Sequence, residues 1–242
     1  MTNALAYVLN PLKFGGTNDA LNVGTSNTLD ASAFMTLMAW LNCTSLTADQ
    51  RIYVRGAGGS AFFADFGGSP TNFTSFTIPR ATTSAQVRVN FSNAPIVAAN
   101  KPLFVAWVLD TTADAQCRLF IGDLVTAPSE FTYTTQRAGT GTITANSATA
   151  TLVGNRALLA RPFVGNLWMV ALWNRCLDYN EIASQWRWPS ATQDAAGYWR
   201  LGAQGALTVL DLSGHANHGA VSGPVLTGNT LPLLPPILEP HL

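Results

Sequence analysis

The chain has 242 residues, 48% of them hydrophobic and only 11% charged, and its thirteen basic residues balance thirteen acidic ones. A zero net charge excludes the basic footprint of a nucleic-acid binder or of a protein drawn to an anionic membrane. No apolar run approaches the roughly 20 residues that span a bilayer, and the opening stretch MTNALAYVLNPLKFGG lacks the basic region of a leader and breaks its apolar run at Asn10 and Pro11, so no signal peptide is expected.

Short β-branched and aromatic runs, separated by clusters of Gly, Pro, Asn and Ser, predict an all-β chain. Phe34–Leu41 (FMTLMAWL) is apolar on both faces and reads as an inner strand covered on both sides. Phe62–Phe76 (FFADFGGSPTNFTSF) interleaves five phenylalanines with Gly, Ser, Asn and Thr. Exposed rings there could stack on sugars, which makes Phe62, Phe66, Phe73 and Phe76, with Trp188, candidate contact residues. The competing reading packs alternate rings inward along an edge strand. Val87–Phe91 (VRVNF) alternates, with Val87, Val89 and Phe91 inward and Arg88 and Asn90 outward.

Pro102–Asp110 (PLFVAWVLD) is a second two-faced strand, and Gln116–Ile121 runs into Gly122-Asp123, a hairpin-type turn pair. Phe163–Trp173 (FVGNLWMVALW) is the last strong core strand. One helix follows, in CLDYNEIASQWRW: Asp178 and Glu181 have the spacing of a capping box, and Ile182 and Trp186 share its buried face. It is expected to lie over one edge of the fold and to end at Pro189. The closing TLPLLPPILEPHL carries four prolines in thirteen residues, so it is neither helix nor central strand. The expected organisation is one domain over residues 1–229 and an extended Pro-rich tail over 230–242. Cys43, Cys117 and Cys176 have no metal-binding spacing and read as free thiols.

Several segments resemble the laminin-G-like domains of the concanavalin A-like lectin/glucanase superfamily. LKFGGTNDALNV (Leu12–Val23) before FMTLMAWLN is similar to their opening F-x-G-x-x-D and F-T-x-x-x-W strands. KPLFVAWVLD and CRLFIGD resemble the two central strands, with Trp107 and Asp110 in place and Pro102 and Leu103 standing where relatives carry a histidine pair. FVGNLWMVALWNRCLDYNEIASQW and GYWRLGAQGALTVLDLSGHANHGAV are similar to the late strand, helix and D-x-S-G-x-x-N-H-G segments. The resemblance implies a two-sheet antiparallel jelly-roll sandwich. In many relatives the D-x-S-G segment comes first; its late position here requires the terminal strands to be neighbours.

The superfamily includes glucanases, which need two carboxylates flanking the scissile bond. Here only Glu130, Glu181 and Glu239 are glutamates, and no strand carries acids at alternate positions, so no catalytic residues are expected. Asp211–Val221 (DLSGHANHGAV) gathers an acid and two histidines. Zinc would need three or four convergent ligands. Calcium suits the oxygen donors better, with Asp211, Asn217 and Asp19 as candidate ligands. The alternative, which is preferred, is that Asp211 and Asn217 bond backbone amides in Asx-type turns. No cofactor is required.

These readings lead to the expectation of a non-catalytic virion surface protein, a bacteriophage head-decoration or fibre component on a lectin-like fold. A carbohydrate-binding module or lectin acting outside a virion, in an extracellular setting, is the alternative. The expected partners are a capsid protein, copies of the chain itself and cell-surface polysaccharide. The tail residues Leu231, Pro232, Leu234, Pro235, Pro236 and Ile237 would form an arm on a neighbouring subunit.

Overall fold

A computed structural model of the chain describes residues 11–46, 49–56, 62–67, 72–90, 100–143, 148–191, 194–201 and 208–226. The expected partner arm, Leu231, Pro232, Leu234, Pro235, Pro236 and Ile237, lies outside them.

Strands dominate the described residues. The first are β1 (Leu12–Phe14), β2 (Ala20–Asn22), β3 (Phe34–Cys43), β4 (Gln50–Arg55), β5 (Phe62–Phe66) and β6 (Phe73–Ile78). Next come β7 (Ala85–Asn90), β8 (Leu103–Asp110), β9 (Arg118–Asp123), β10 (Ser129–Glu130), β11 (Thr135–Arg137) and β12 (Thr151–Val153). After β13 (Gly165–Trp173) and helix α1 (Tyr179–Arg187), the chain closes with β14 (Gly197–Arg200), β15 (Thr208–Val209), β16 (Gly219–Ser222) and β17 (Val225–Leu226). The described strands form two antiparallel sheets. One runs β10-β9-β8-β3-β13-β1-β17, with β14 also on β13; the other runs β11-β7-β6-β5-β4-β12-β2-β16-β15.

The sandwich core follows from alternation. Leu37, Ala39 and Leu41 of β3, Val105 and Trp107 of β8, and Leu167, Val170 and Leu172 of β13 face Phe66, Phe76, Val87 and Val89 of the second sheet. Each large side chain taken fully from water contributes roughly 1.5–3 kcal/mol. A polar contact also crosses this core: the buried indole Nε1 of Trp107 donates to Thr74 Oγ1 at 3.2 Å.

The first sheet's strands are apolar on both faces because their outer face is buried too. Met38, Trp40, Phe104, Phe120, Trp168 and Trp173 pack with Leu177, Ile182 and Trp186. The helix therefore covers a sheet face, and not one edge of the fold as expected. Its capping box is formed, with Glu181 N donating to Asp178 Oδ1 and Asp178 N to Glu181 Oε2. Trp186 Nε1 anchors the far end on Asp123 O at 2.8 Å.

The turn expected at Gly122-Asp123 comes two residues later. Both belong to β9, and Asp123 Oδ1 accepts from the amides of Val125 and Thr126 to form the turn beyond it. The required adjacency of the terminal strands is met in both sheets: β17 pairs with β1, and β16 with β2. Gly165, in the F-x-G segment, has φ +151° and lies so close to Asn42 that a Cβ would stand 2.0 Å from its carbonyl oxygen. No other residue fits there.

Candidate functional site

The phenylalanine-rich segment forms β5 and β6, which are inner strands of the second sheet and not its edge. Phe66 and Phe76 are wholly buried in the sandwich core, so neither belongs to a contact surface. Phe73 faces outward, yet only 9% of it is exposed, because the Arg88 guanidinium carbon lies 3.6 Å from its ring centroid. The side chain of Phe62 lies outside the described residues. Trp188 is 51% exposed, but it caps the C-terminus of α1 on the outside of the first sheet, away from the hairpin. Among the described side chains the expected aromatic platform is therefore not assembled.

What the outer face of the second sheet presents instead is polar. Pairing registers place Thr135, Arg88, Ser75, Asp65 and Arg51 in one row across five strands, β11-β7-β6-β5-β4. Asp65 forms an ion pair with Arg51 and accepts from Ser75 Oγ, and it is almost entirely buried. Burial pushes its carboxyl up to about 6, against the opposing pull of Arg51 and Ser75. Arg51 also stacks over Phe63, with its guanidinium carbon 3.8 Å from the ring centroid. In the next row Gln86 Nε2 donates to Thr77 Oγ1 at 3.1 Å.

Two cation–π stacks thus flank a closed Arg51–Asp65–Ser75 centre. Each holds its arginine in one orientation, which lowers the entropy lost when the guanidinium binds something. Arg51 is satisfied by Asp65. Arg88 makes no ion pair among the described residues, and its Nε is buried without a hydrogen-bond partner. Two residues on, Asn90 Oδ1 is also buried and unpartnered. A donor and an acceptor left open on one strand face is costly unless something polar completes them.

Phe63 and the open Arg88–Asn90 pair were missed as site residues. The signal existed: Asp65 fixes the outward phase of β5, and Phe63 shares it.

Asp211–Val221 is closed rather than open. Asp211 Oδ1 accepts from the amides of Tyr198 and Ser213, both at 2.9 Å, and Oδ2 from Asn217 N at 3.0 Å. Asn217 Nδ2 donates to Ala196 O and Thr28 Oγ1. His218 Nδ1 accepts from Asp211 N at 3.1 Å, and Trp199 Nε1 donates to Asn217 O at 2.8 Å. These bonds are the Asx-type turn network that the sequence favoured. Asp19 is not part of it. Ala20 pairs with Ser222, so Asp19 stands at the Gly223 end of the β2–β16 ladder, where its Oδ2 accepts from Gly15 N and Gly16 N. Asn217 lies beyond the other end, six residues along, on the order of 20 Å away. The three candidate calcium ligands therefore share no coordination sphere, and among the described residues no group of three His, Cys, Asp or Glu side chains converges.

Cys43, Cys117 and Cys176 are free. Burial raises their thiols to about 11, 12 and 11, which disfavours the thiolate form.

Comparison with known proteins agrees with this architecture. Among curated proteins none matches the sequence at a significant level. The fold is similar to that of a candidate carbohydrate-binding protein from Bacteroides ovatus ATCC 8483, with TM-score 0.61 and 15% identity over 93% of this chain. The chain spans 61% of that protein's length. Weaker similarity links it to domains LG4-5 of the mouse laminin alpha1 chain, with TM-score 0.46 and 12% identity over 72% of this chain and 45% of that one. Full-length tailspike protein 2 of an Escherichia coli O157:H7 bacteriophage gives TM-score 0.49 and 10% identity over 83% of this chain and 31% of that one. The laminin-G family model described as the concanavalin A-like lectin/glucanases superfamily matches residues 14–183, most of the chain and nearly all of both sheets' inner strands. The protein belongs to that superfamily.

Proposed function

We propose that the chain is a non-catalytic carbohydrate-binding module that takes its ligand on the outer face of the second sheet. The observation that carries this reading is the open pair on β7, Arg88 Nε and Asn90 Oδ1. Both side chains are half-buried, and a sugar hydroxyl, which donates and accepts, completes each atom once the side chain turns outward to meet it. Gln86, half-buried on the same strand face, offers a further amide. The similarity of fold to a candidate carbohydrate-binding protein supports the same reading.

Catalysis is a poor fit to this face. Asp65 has the raised pKa of an acid catalyst, but its oxygens are engaged by Arg51 and Ser75, and the other carboxylate that acts on it, Asp49 just before β4, is itself tied to Arg161. Glu130 is tied to Arg118 and Tyr133 on the other sheet, and Glu181 to Arg175 and the helix cap.

The test is a glycan array probed with the full chain, followed by calorimetry on the hits. Arg88→Ala and Asn90→Ala are each expected to abolish the signal while leaving the melting temperature within a few degrees. Full retention of binding by both variants would remove the site from this face.

A further inference from the structure

We infer that the ligand of this face is an acidic glycan, and that Arg88 holds its carboxylate. The inference rests on the binding-module reading above and extends it to ligand class. Arg51, Arg88 and Arg137 lie at outward positions of β4, β7 and β11, and the two carboxylates beside them, Asp65 and Asp49, are both paired, Asp49 with Arg161. Asp65 is spent on Arg51. Arg137 is anchored away from the centre, its Nε donating to Ser84 O at 2.9 Å. Of the three, Arg88 meets neither a carboxylate nor a carbonyl among the described residues, and it sits in the middle row of the face.

A half-buried guanidinium with a buried, unpaired Nε loses hydration without gaining a counter-charge. A neutral hydroxyl would satisfy the hydrogen bond but not the charge. A carboxylate at the outer end of the guanidinium supplies the counter-charge, and the planar fork of arginine matches it in two parallel bonds. Phe73 beneath the guanidinium fixes the plane of that fork before the ligand arrives. Asn90 Oδ1 then takes a hydroxyl of the same or the adjoining sugar.

The experiment compares acid and neutral forms of the same sugars on the full chain: trigalacturonate against its methyl ester, and sialyllactose against lactose. The two pairs separate uronate from sialate as the source of the carboxylate. At low salt, one acid form is expected to bind about tenfold or more tightly than its neutral partner, the range of a charge-assisted hydrogen bond. Arg88→Met, which keeps the apolar stem over Phe73, should reduce the ratio to near one. Should that variant fail to fold, the salt dependence of the native chain serves instead. The preference should shrink as sodium chloride rises from about 0.05 to about 0.5 M, where screening shortens to a few ångströms. Equal binding of acid and neutral forms, or a preference untouched by both Arg88→Met and salt, would overturn the acidic ligand and leave the binding-module reading standing. No binding of any of the four sugars, with none on the array, would overturn both.

Discussion

Arg55 is completely buried, and its Nε and Nη2 both donate to Oδ1 of Asp30, at 3.0 and 2.7 Å. Nη2 also reaches the carbonyls of Thr25 and Ser26, and Nη1 those of Gly24 and Thr149 and the hydroxyl of Thr151. One cation thereby ties β4 to the 24–30 segment and to the entry of β12. Removing the partner while keeping the charge is the damaging change. Asp30→Ala is expected to cost about 3–5 kcal/mol, as for other buried pairs broken on one side. Urea unfolding followed by tryptophan fluorescence measures it; a loss under about 1 kcal/mol would show the carbonyls alone to be sufficient.

Asp65 gives stability a pH dependence opposite to that of most carboxylates. Its folded pKa, about 6, is above the ordinary value of 3.8. Between those values the folded chain holds a proton that the unfolded chain releases, so stability falls as pH rises through this window. The contribution is fully present below about pH 4 and lost above about pH 6. Relative to an Asp65→Asn variant, the native chain should lose about 2–3 kcal/mol between pH 4 and pH 7. A difference that stays flat across that range contradicts the assignment.

Asp211 and His215 sit four residues apart but differ in consequence. Asp211 satisfies three buried amides, so Asp211→Ala should destabilise by several kcal/mol. His215 is exposed, and His215→Ala should change stability by less than about 0.5 kcal/mol. Because both oxygens of Asp211 are already bonded, millimolar calcium or a chelator should leave the melting curve of the native chain unmoved. A calcium-dependent rise in melting temperature would place an ion in this turn.

Trp107 and Thr74 offer the cleanest probe of the contact between sheets. Thr74→Val keeps the volume but strands a buried indole N–H, at an expected cost of about 1–3 kcal/mol. Trp107→Phe combined with Thr74→Val should cost less than the sum of the two alone. Strict additivity in that double-mutant cycle would mean the hydrogen bond carries no net energy.

The strands carrying the core were readable in advance because their periodicity is strong. β3, β8 and β13 fall within two residues of the apolar runs that predicted them, and the D-x-x-E cap of α1 is formed as spaced. The site was less readable. Outward placement of Arg88 and Asn90 follows from alternation alone, but their lack of partners depends on which strands stand beside β7, and that is set by long-range pairing. The phenylalanines misled for a related reason. An aromatic residue in a strand states that it seeks cover, not which side supplies it. Phe66 and Phe76 found the core, whereas Phe73 found an arginine.

The pairing of first strands with last imposes an order on the chain's maturation. β2 receives β12 on one side and β16 on the other, and β1 likewise waits between β13 and β17. During synthesis at roughly 5–20 residues per second, the N-terminal strands therefore leave the ribosome some 10–40 seconds before their final neighbours exist. Neither sheet can be completed on a nascent chain until about the last twentieth of the described sequence has emerged. Throughout that interval the amides and carbonyls of two strand edges stand open to whatever else is extended nearby.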